Sequence, residues 1–309
     1  MFTKEHLQIT TFMMKRAFKV LGIATIYCGL SGSLSAQVTS SVTDPDNNFK
    51  LARDLYQRGQ VSLAYPLFKT LYFDKSKTER VKSVLPTAIQ TEANYYRIVC
   101  GLMLDDAAAE KDAIAFEAQQ YDAVRSEMVS YFLAEYYFRK KDYAQALPYY
   151  EKANYDNLTN EQIASSKFHQ GYCYFNDKKF AQAKPLFDAI RQIPSDPNYN
   201  DANYYYGFIA LEEKNYAEAL NSFKKVESDA KYKSVVPYYI MQIYYFQGDK
   251  DKAIAYGQQA LANGGEQFYA KDMQQLLGHA YFDRQQYDKA LPYLESYVST
   301  TPDAPREDI

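Results

Sequence analysis

The 309-residue chain contains no tryptophan, three cysteines and three histidines, and each scarcity removes a class of function. His6, His169 and His279 are far apart, so no histidine pair stands at metal-ligand spacing, and neither a metal centre nor a cofactor is expected. Three cysteines do not make a disulfide framework; Cys100 and Cys173 read instead as small core residues. Glycine is sparse at 12 residues, and its one doublet, in Asn263-Gly264-Gly265, reads as a turn closing a helix, not a phosphate-cradling loop. Positive charge is not in excess either. Lys and Arg total 35 against 38 Asp and Glu, and residues 1–36 hold four of those basic residues and one acid. The remaining 31 basic and 37 acidic residues argue against a nucleic-acid binder, because phosphate affinity comes from clustered cations releasing counterions.

Long apolar runs are also missing, with one exception near the start. Lys15, Arg16 and Lys19 precede an uncharged stretch from Val20, which exits through Ser33-Leu34-Ser35-Ala36-Gln37. That is the layout of a secretory signal peptide, with cleavage expected after Ala36. Gly22, Gly29, Ser31 and Gly32 interrupt the stretch, which falls short of the roughly 20 apolar residues that a bilayer-spanning helix needs. Residues 1–13 ahead of Met14 read as an extension from an early-assigned start. Thr25-Ile26-Tyr27 before Cys28 lacks the small residue of a lipoprotein signal, so Cys28 is not expected to carry lipid. Residues 37–46 read as a linker.

What the chain does have is aromatic residues, 32 Tyr and 18 Phe, set in a repeat. Tyr143-Ala144-Gln145-Ala146-Leu147 recurs as Phe180-Ala181-Gln182-Ala183-Lys184, Tyr216-Ala217-Glu218-Ala219-Leu220, Lys250-Asp251-Lys252-Ala253-Ile254 and Tyr287-Asp288-Lys289-Ala290-Leu291. The alanines Ala146, Ala183, Ala219, Ala253 and Ala290 are spaced by 37, 36, 34 and 37 residues. Ala64 and Ala113 mark two weaker members, with an insertion near residues 74–90 between them. Twelve residues before each marker comes a small residue, Ala52, Gly101, Ala134, Gly171, Gly207 or Gly278, with Met241 as the exception. A small side chain there lets two antiparallel helices approach. Tyr137, Tyr174, Tyr244 and Tyr281 follow it by three, and Tyr143, Ala146, Leu147 and Tyr150 form one stripe of a 3.6-residue period. Polar turns such as Lys140-Lys141-Asp142 and Gln247-Gly248-Asp249 offer an Asp as N-cap between the helices.

At these residues the chain resembles the tetratricopeptide repeat family over about residues 47–302, some seven helix pairs. Glu117 and Gly257 depart from the pattern, standing where a large apolar residue is usual. The resemblance implies an all-α solenoid, a right-handed superhelix whose first helices make the inner surface and whose units are stabilised by their neighbours. It also implies a partner-binding groove. Carrying over the groove-facing positions gives Tyr131 and Phe138 in the third repeat, Phe168, Tyr172 and Phe175 in the fourth, and Tyr204 and Phe208 in the fifth. Tyr238 and Tyr245 in the sixth and His279 and Phe282 in the seventh complete the set. One reading has such rings packing against the next repeat; the other leaves them open to a partner.

Pro66, Pro148, Pro185 and Pro292 lie two residues beyond a marker. Either the helix starts late and holds each proline in its first turn, or the proline bends it. Asp105-Asp106 and Glu212-Glu213 read as solvated helix ends, and Asn157-Leu158-Thr159 as an unused glycosylation pattern. The last helix offers Leu291, Leu294, Tyr297 and Val298 with no successor, so residues 303–309 read as the start of a truncated eighth repeat, with self-association through that face as the rival. The function expected is a non-enzymatic exported scaffold, most simply periplasmic, binding protein or peptide segments. The exit sequence and Tyr-rich repeats are similar to periplasmic repeat proteins of Bacteroidetes-type bacteria that act in envelope assembly or cell division. A glycan- or peptidoglycan-binding module and the helper region of a larger enzyme are the alternatives.

Overall fold

The computed structural model describes residues 45–72, 87–118, 122–156, 158–262 and 267–300. The leader, most of the linker and of the insertion, Asn157, the glycine doublet and the tail from residue 301 lie outside the described residues. Among the described residues there are fourteen helices and no strand. They pair in order: α1 (Pro45–Gln57) with α2 (Val61–Leu71), α3 (Thr87–Met103) with α4 (Ala107–Ala118), α5 (Ala123–Arg139) with α6 (Tyr143–Lys152), and α7 (Asn160–Asn176) with α8 (Phe180–Arg191). The last three pairs are α9 (Tyr199–Glu212) with α10 (Tyr216–Val226), α11 (Val236–Phe246) with α12 (Lys250–Ala262), and α13 (Ala270–Asp283) with α14 (Tyr287–Thr300). Each second helix packs on the following first helix, which makes the array a linear α-solenoid. First helices of successive repeats also meet, α1 with α3, α3 with α5, α5 with α7 and α11 with α13, whereas successive second helices do not approach in this way. The first helices therefore occupy the shorter, inner side of the curve.

The expected caps form. Asp142 accepts a hydrogen bond from the Gln145 backbone N–H (3.2 Å) and Asp249 from that of Lys252 (3.1 Å). Thr159 and Gln162 close a reciprocal capping box at the start of α7. The turn between helices places one residue at positive φ in every repeat: Gly59 and Gly248, but also Asp105, Lys141, Lys178, Lys214 and Gln285. At Lys141 the geometry is a Schellman closure, with Asp142 N–H donating to the Tyr137 carbonyl at 2.9 Å.

The marker alanines are core residues of the helix pairs. Ala64, Ala146, Ala183, Ala219 and Ala253 are fully buried. The closest approach falls one turn beyond them: a Cβ added to Gly171 would lie 3.1 Å from the Phe187 ring, and one on Gly278 would lie 2.5 Å from Leu294 Cδ2. The two exceptions in the sixth repeat compensate one another. Met241 is large where its equivalents are small, and Gly257 is small where its equivalents are large; a Cβ on Gly257 would meet Met241 Sδ at 2.7 Å. In the second repeat the turn falls at Asp105, earlier than its register with Ala113 implies. The close contact there is Gly101 with Ala109, at 2.5 Å from an added Cβ.

The four prolines lie inside α2, α6, α8 and α14, each at the sixth residue. The late-start reading is therefore overturned: each helix begins five residues before its proline, beyond the tolerated first turn. Cys100 and Cys173 are free and buried, and burial pushes both thiols up to about 12.

Candidate partner-binding groove

The first helices are apolar on nearly every side, so each must divide its rings between neighbours and solvent. In α9 every residue from Ala202 to Ala210 is buried. Rings on successive first helices interlock. Phe138 stacks on His169 at 3.9 Å and meets Tyr172 edge-on at 5.9 Å. Tyr205 is ringed by Phe168, Tyr172 and Phe175, and Phe175 reaches Phe208 at 5.4 Å. Tyr204 stacks on Tyr232 at 4.2 Å, and Phe208 meets Tyr239 at 5.9 Å.

This network sorts the residues nominated for the groove. Tyr131, Phe168, Tyr172, Tyr204 and Phe208 are buried, each below a tenth exposed, and serve repeat-to-repeat packing in the free chain. Phe138, Phe175, Tyr238, Tyr245 and His279 are half-buried. Phe282 stands 56% exposed. Burial also pushes up the hydroxyl of Tyr204, which stays protonated.

The structure adds residues that the position rule missed. Tyr205 and Tyr239, one place along from the nominated Tyr204 and Tyr238, are the plugs between repeats. The doublets Tyr204-Tyr205 and Tyr238-Tyr239 carried that signal: rings at adjacent helical positions face both a neighbour and the inside of the pair. Phe246, 55% exposed, lies beside Tyr245 and stacks on Tyr216 at 6.3 Å.

The exposed rings among the described residues are Phe246 and Phe282, at the C-terminal ends of α11 and α13, with Phe268 ahead of α13 and Tyr287 at the start of α14. The setting of Phe246 and Phe282 is fixed by charge. The Tyr245 hydroxyl donates to Asp283 at 2.9 Å, Lys250 Nζ sits 2.9 Å from the same carboxylate, and that ammonium lies 3.0 Å above the Tyr245 ring. The hydrogen bond from Lys250, and then that from Tyr245, hold the Asp283 carboxyl below its ordinary value. This clamp joins the sixth and seventh repeats, where Phe246 and Phe282 are exposed.

Further along the array, His169 Nδ1 lies 3.0 and 3.1 Å from the two oxygens of Glu135, which also accepts from the Tyr150 hydroxyl at 2.9 Å. Three helices, α5, α6 and α7, meet there as a brace. Among the described residues no group of three or more His, Cys, Asp or Glu is placed to hold a metal ion, and no helix is long and apolar enough to cross a membrane.

Tetratricopeptide-repeat family profiles match residues 129–155 and 242–305, so the chain carries repeats of this kind. No curated protein matches the chain. Among solved structures, RapI in its apo form is similar over 85% of this chain and 78% of its own, at 15% identity and a TM-score of 0.50. MamA is similar over 57% of this chain and 92% of its own, at 15% identity and a TM-score of 0.47. YrrB, described as a TPR protein with an unusual peptide-binding site, covers 62% of this chain and 92% of its own, at 19% identity and a TM-score of 0.47. At these identities the likeness concerns the fold alone.

Proposed function

We propose that the chain is a non-enzymatic scaffold that binds a segment of another protein on its inner face, at the sixth and seventh repeats. The observation that carries this reading is the exposure of Phe246 and Phe282, each just over half open, in a molecule that otherwise locks its inner rings between repeats. Tyr238, Tyr245 and His279 flank them as half-buried walls, and Phe138 and Phe175 continue the same inner line towards the N-terminus. Rigid rings give contact area at little conformational cost, and the Tyr hydroxyls add hydrogen bonds of fixed direction. Exported, periplasmic placement rests on the basic flank and the Ser-Leu-Ser-Ala exit of residues 15–36. A role in envelope assembly or cell division follows from the family likeness alone.

The test is a Phe246→Ala/Phe282→Ala variant, compared with wild type for proteins recovered after crosslinking in cells. Loss of a specific partner with an unchanged melting temperature is the expected result. Retention of that partner, or affinity for soluble glycans in its place, would reverse the reading. N-terminal sequencing of the mature chain checks the address, with Gln37 expected as the first residue.

A further inference from the structure

One ring pair recurs across the turn from a first helix to its second helix. Phe138 and Tyr143 lie 5.4 Å apart between α5 and α6, Phe175 and Phe180 5.4 Å apart between α7 and α8, and Phe282 and Tyr287 5.2 Å apart between α13 and α14. The first two pairs each receive a third ring from the next first helix. Tyr172 of α7 meets Phe138 at 5.9 Å and Tyr143 at 5.0 Å, and Phe208 of α9 meets Phe175 at 5.4 Å and Phe180 at 6.3 Å. All four interplanar angles lie between 70° and 80°, the edge-to-face arrangement that ring quadrupoles favour. Tyr172 and Phe208 are buried by this insertion, each below a tenth exposed.

The third pair stands open. Among the described residues no further ring reaches it, and Phe282 and Tyr287 are 56% and 55% exposed. Leu291 beside them is exposed as well, whereas Leu147 and Ile254, its register counterparts, are buried. Residues 263–266 and 301–309, outside the described residues, join α13 and α14 at the ends away from the pair, about 20 Å along each helix. The make-up of a pair decides what enters it. Where Lys250 replaces the second ring, beside Tyr245, the next first helix answers with the carboxylate of Asp283. Where both members are rings, it answers with a ring. A second copy stacked head to tail does not supply one: Tyr172 and Phe208 lie eleven residues before Ala183 and Ala219, and the residue eleven before Ala64, on α1, is Arg53.

We propose that Phe282 and Tyr287 form a socket for one Tyr or Phe side chain carried on an α-helix of another protein, docked on α13 and α14 as α7 docks on α5 and α6. The incoming ring lies edge-on to both members, and the body of the helix covers Leu291. This deepens the reading given above and rests on it, because Phe282 belongs to both surfaces; it adds Tyr287 and the chemistry of the partner.

The probe is a fluorescein-labelled peptide with the sequence of α9, residues 199–212, which carries Phe208. A lactam staple holds it helical, since a helix of that length is marginal alone in water. Fluorescence anisotropy on the full chain is expected to show saturable binding, weakened at least about tenfold by Phe208→Ala in the peptide, the value of two edge-to-face contacts. Tyr287→Ala in the chain is expected to weaken it by the same factor without changing the melting temperature. Tyr287→Lys, which copies Lys250 at the same register, decides the matter if Tyr287→Ala lowers that temperature. Phe246→Ala is expected to leave peptide affinity unchanged, so a failure of the inner-face site in cells leaves the socket standing. No saturable binding, indifference to Phe208→Ala, or a Tyr287→Ala chain that binds as wild type overturns the socket alone. Equal losses from Phe246→Ala and Tyr287→Ala would also overturn it and keep the inner-face site. A dimer in sedimentation that Tyr287→Ala dissociates would assign the rings to a second copy and overturn it too.

Discussion

Five non-glycine residues hold positive φ at equivalent turns, Lys178 and Lys214 at 58° among them. The left-handed region places Cβ against the following carbonyl, at roughly 1–2 kcal/mol for an ordinary residue. Lys178→Gly is therefore expected to stabilise the fold by about 0.5–1 kcal/mol, less the entropy that glycine adds to the unfolded chain. Chemical denaturation measures it, and a loss of stability would show that the Lys178 side chain matters more than its backbone. In the opposite direction, Phe187 is fully buried between Gly171 and Tyr205. Phe187→Ala is expected to destabilise by about 3–5 kcal/mol, because the rings around it cannot collapse into the space.

The Asp283 clamp has a pH signature. Its carboxyl is held below 3.8 in the folded chain, first by Lys250, so the unfolded state takes up a proton at higher pH than the folded state. The stability this gives is present above 3.8 and disappears as pH falls through the lower folded value. Asp283→Asn is expected to melt below wild type at neutral pH, with the two melting temperatures converging on acidification. A gap that persists in acid would mean that the clamp acts by packing and not by charge.

At the scale of the helix, the sequence pattern was legible because one repeated contact generates it. A glycine on the first helix that receives the ring four residues beyond the marker alanine brings two helices together, and spacing reveals such a contact without coordinates, as at Gly171 against Phe187 and Gly207 against Phe223. The second repeat escaped because its turn comes early, and the swap of Met241 for Gly257 hid a preserved contact behind two mismatches. The groove was less legible for a physical reason. Helical spacing tells which face a ring occupies but not whether a neighbour covers that face, and for Tyr131, Phe168 and Tyr204 a neighbour does. Phe246 gave no signal beyond its place after Tyr245.

The internal prolines belong to the same scale. Each removes the hydrogen bond that its N–H would give to the carbonyl four residues back, and the clash with that carbonyl bends a helix. Four copies at one register are expected to bend four second helices alike. Replacing Pro66, Pro148, Pro185 and Pro292 together with Ala is expected to straighten those helices and alter the small-angle scattering profile of the array. An unchanged profile would remove curvature from the list of their roles.

Across the whole molecule, stability is a sum of neighbour contacts and the two ends differ. The α1 surface exposes Lys50 and Arg53 around a single large apolar residue, Leu51 at 49%, whereas the α13–α14 end presents Phe282, Tyr287 and Leu291 together at 55–56% exposure. Apolar surface of this kind is where a linear array meets something else. The inner face at the sixth and seventh repeats is continuous with that end. The most direct test of the account is site-specific photo-crosslinking in intact cells from position 282, with position 63, an exposed leucine on the second helix of the first repeat, as the control. A defined protein adduct at 282 that is absent at 63 is the expected result; identical adducts at both, or none at 282, would contradict it.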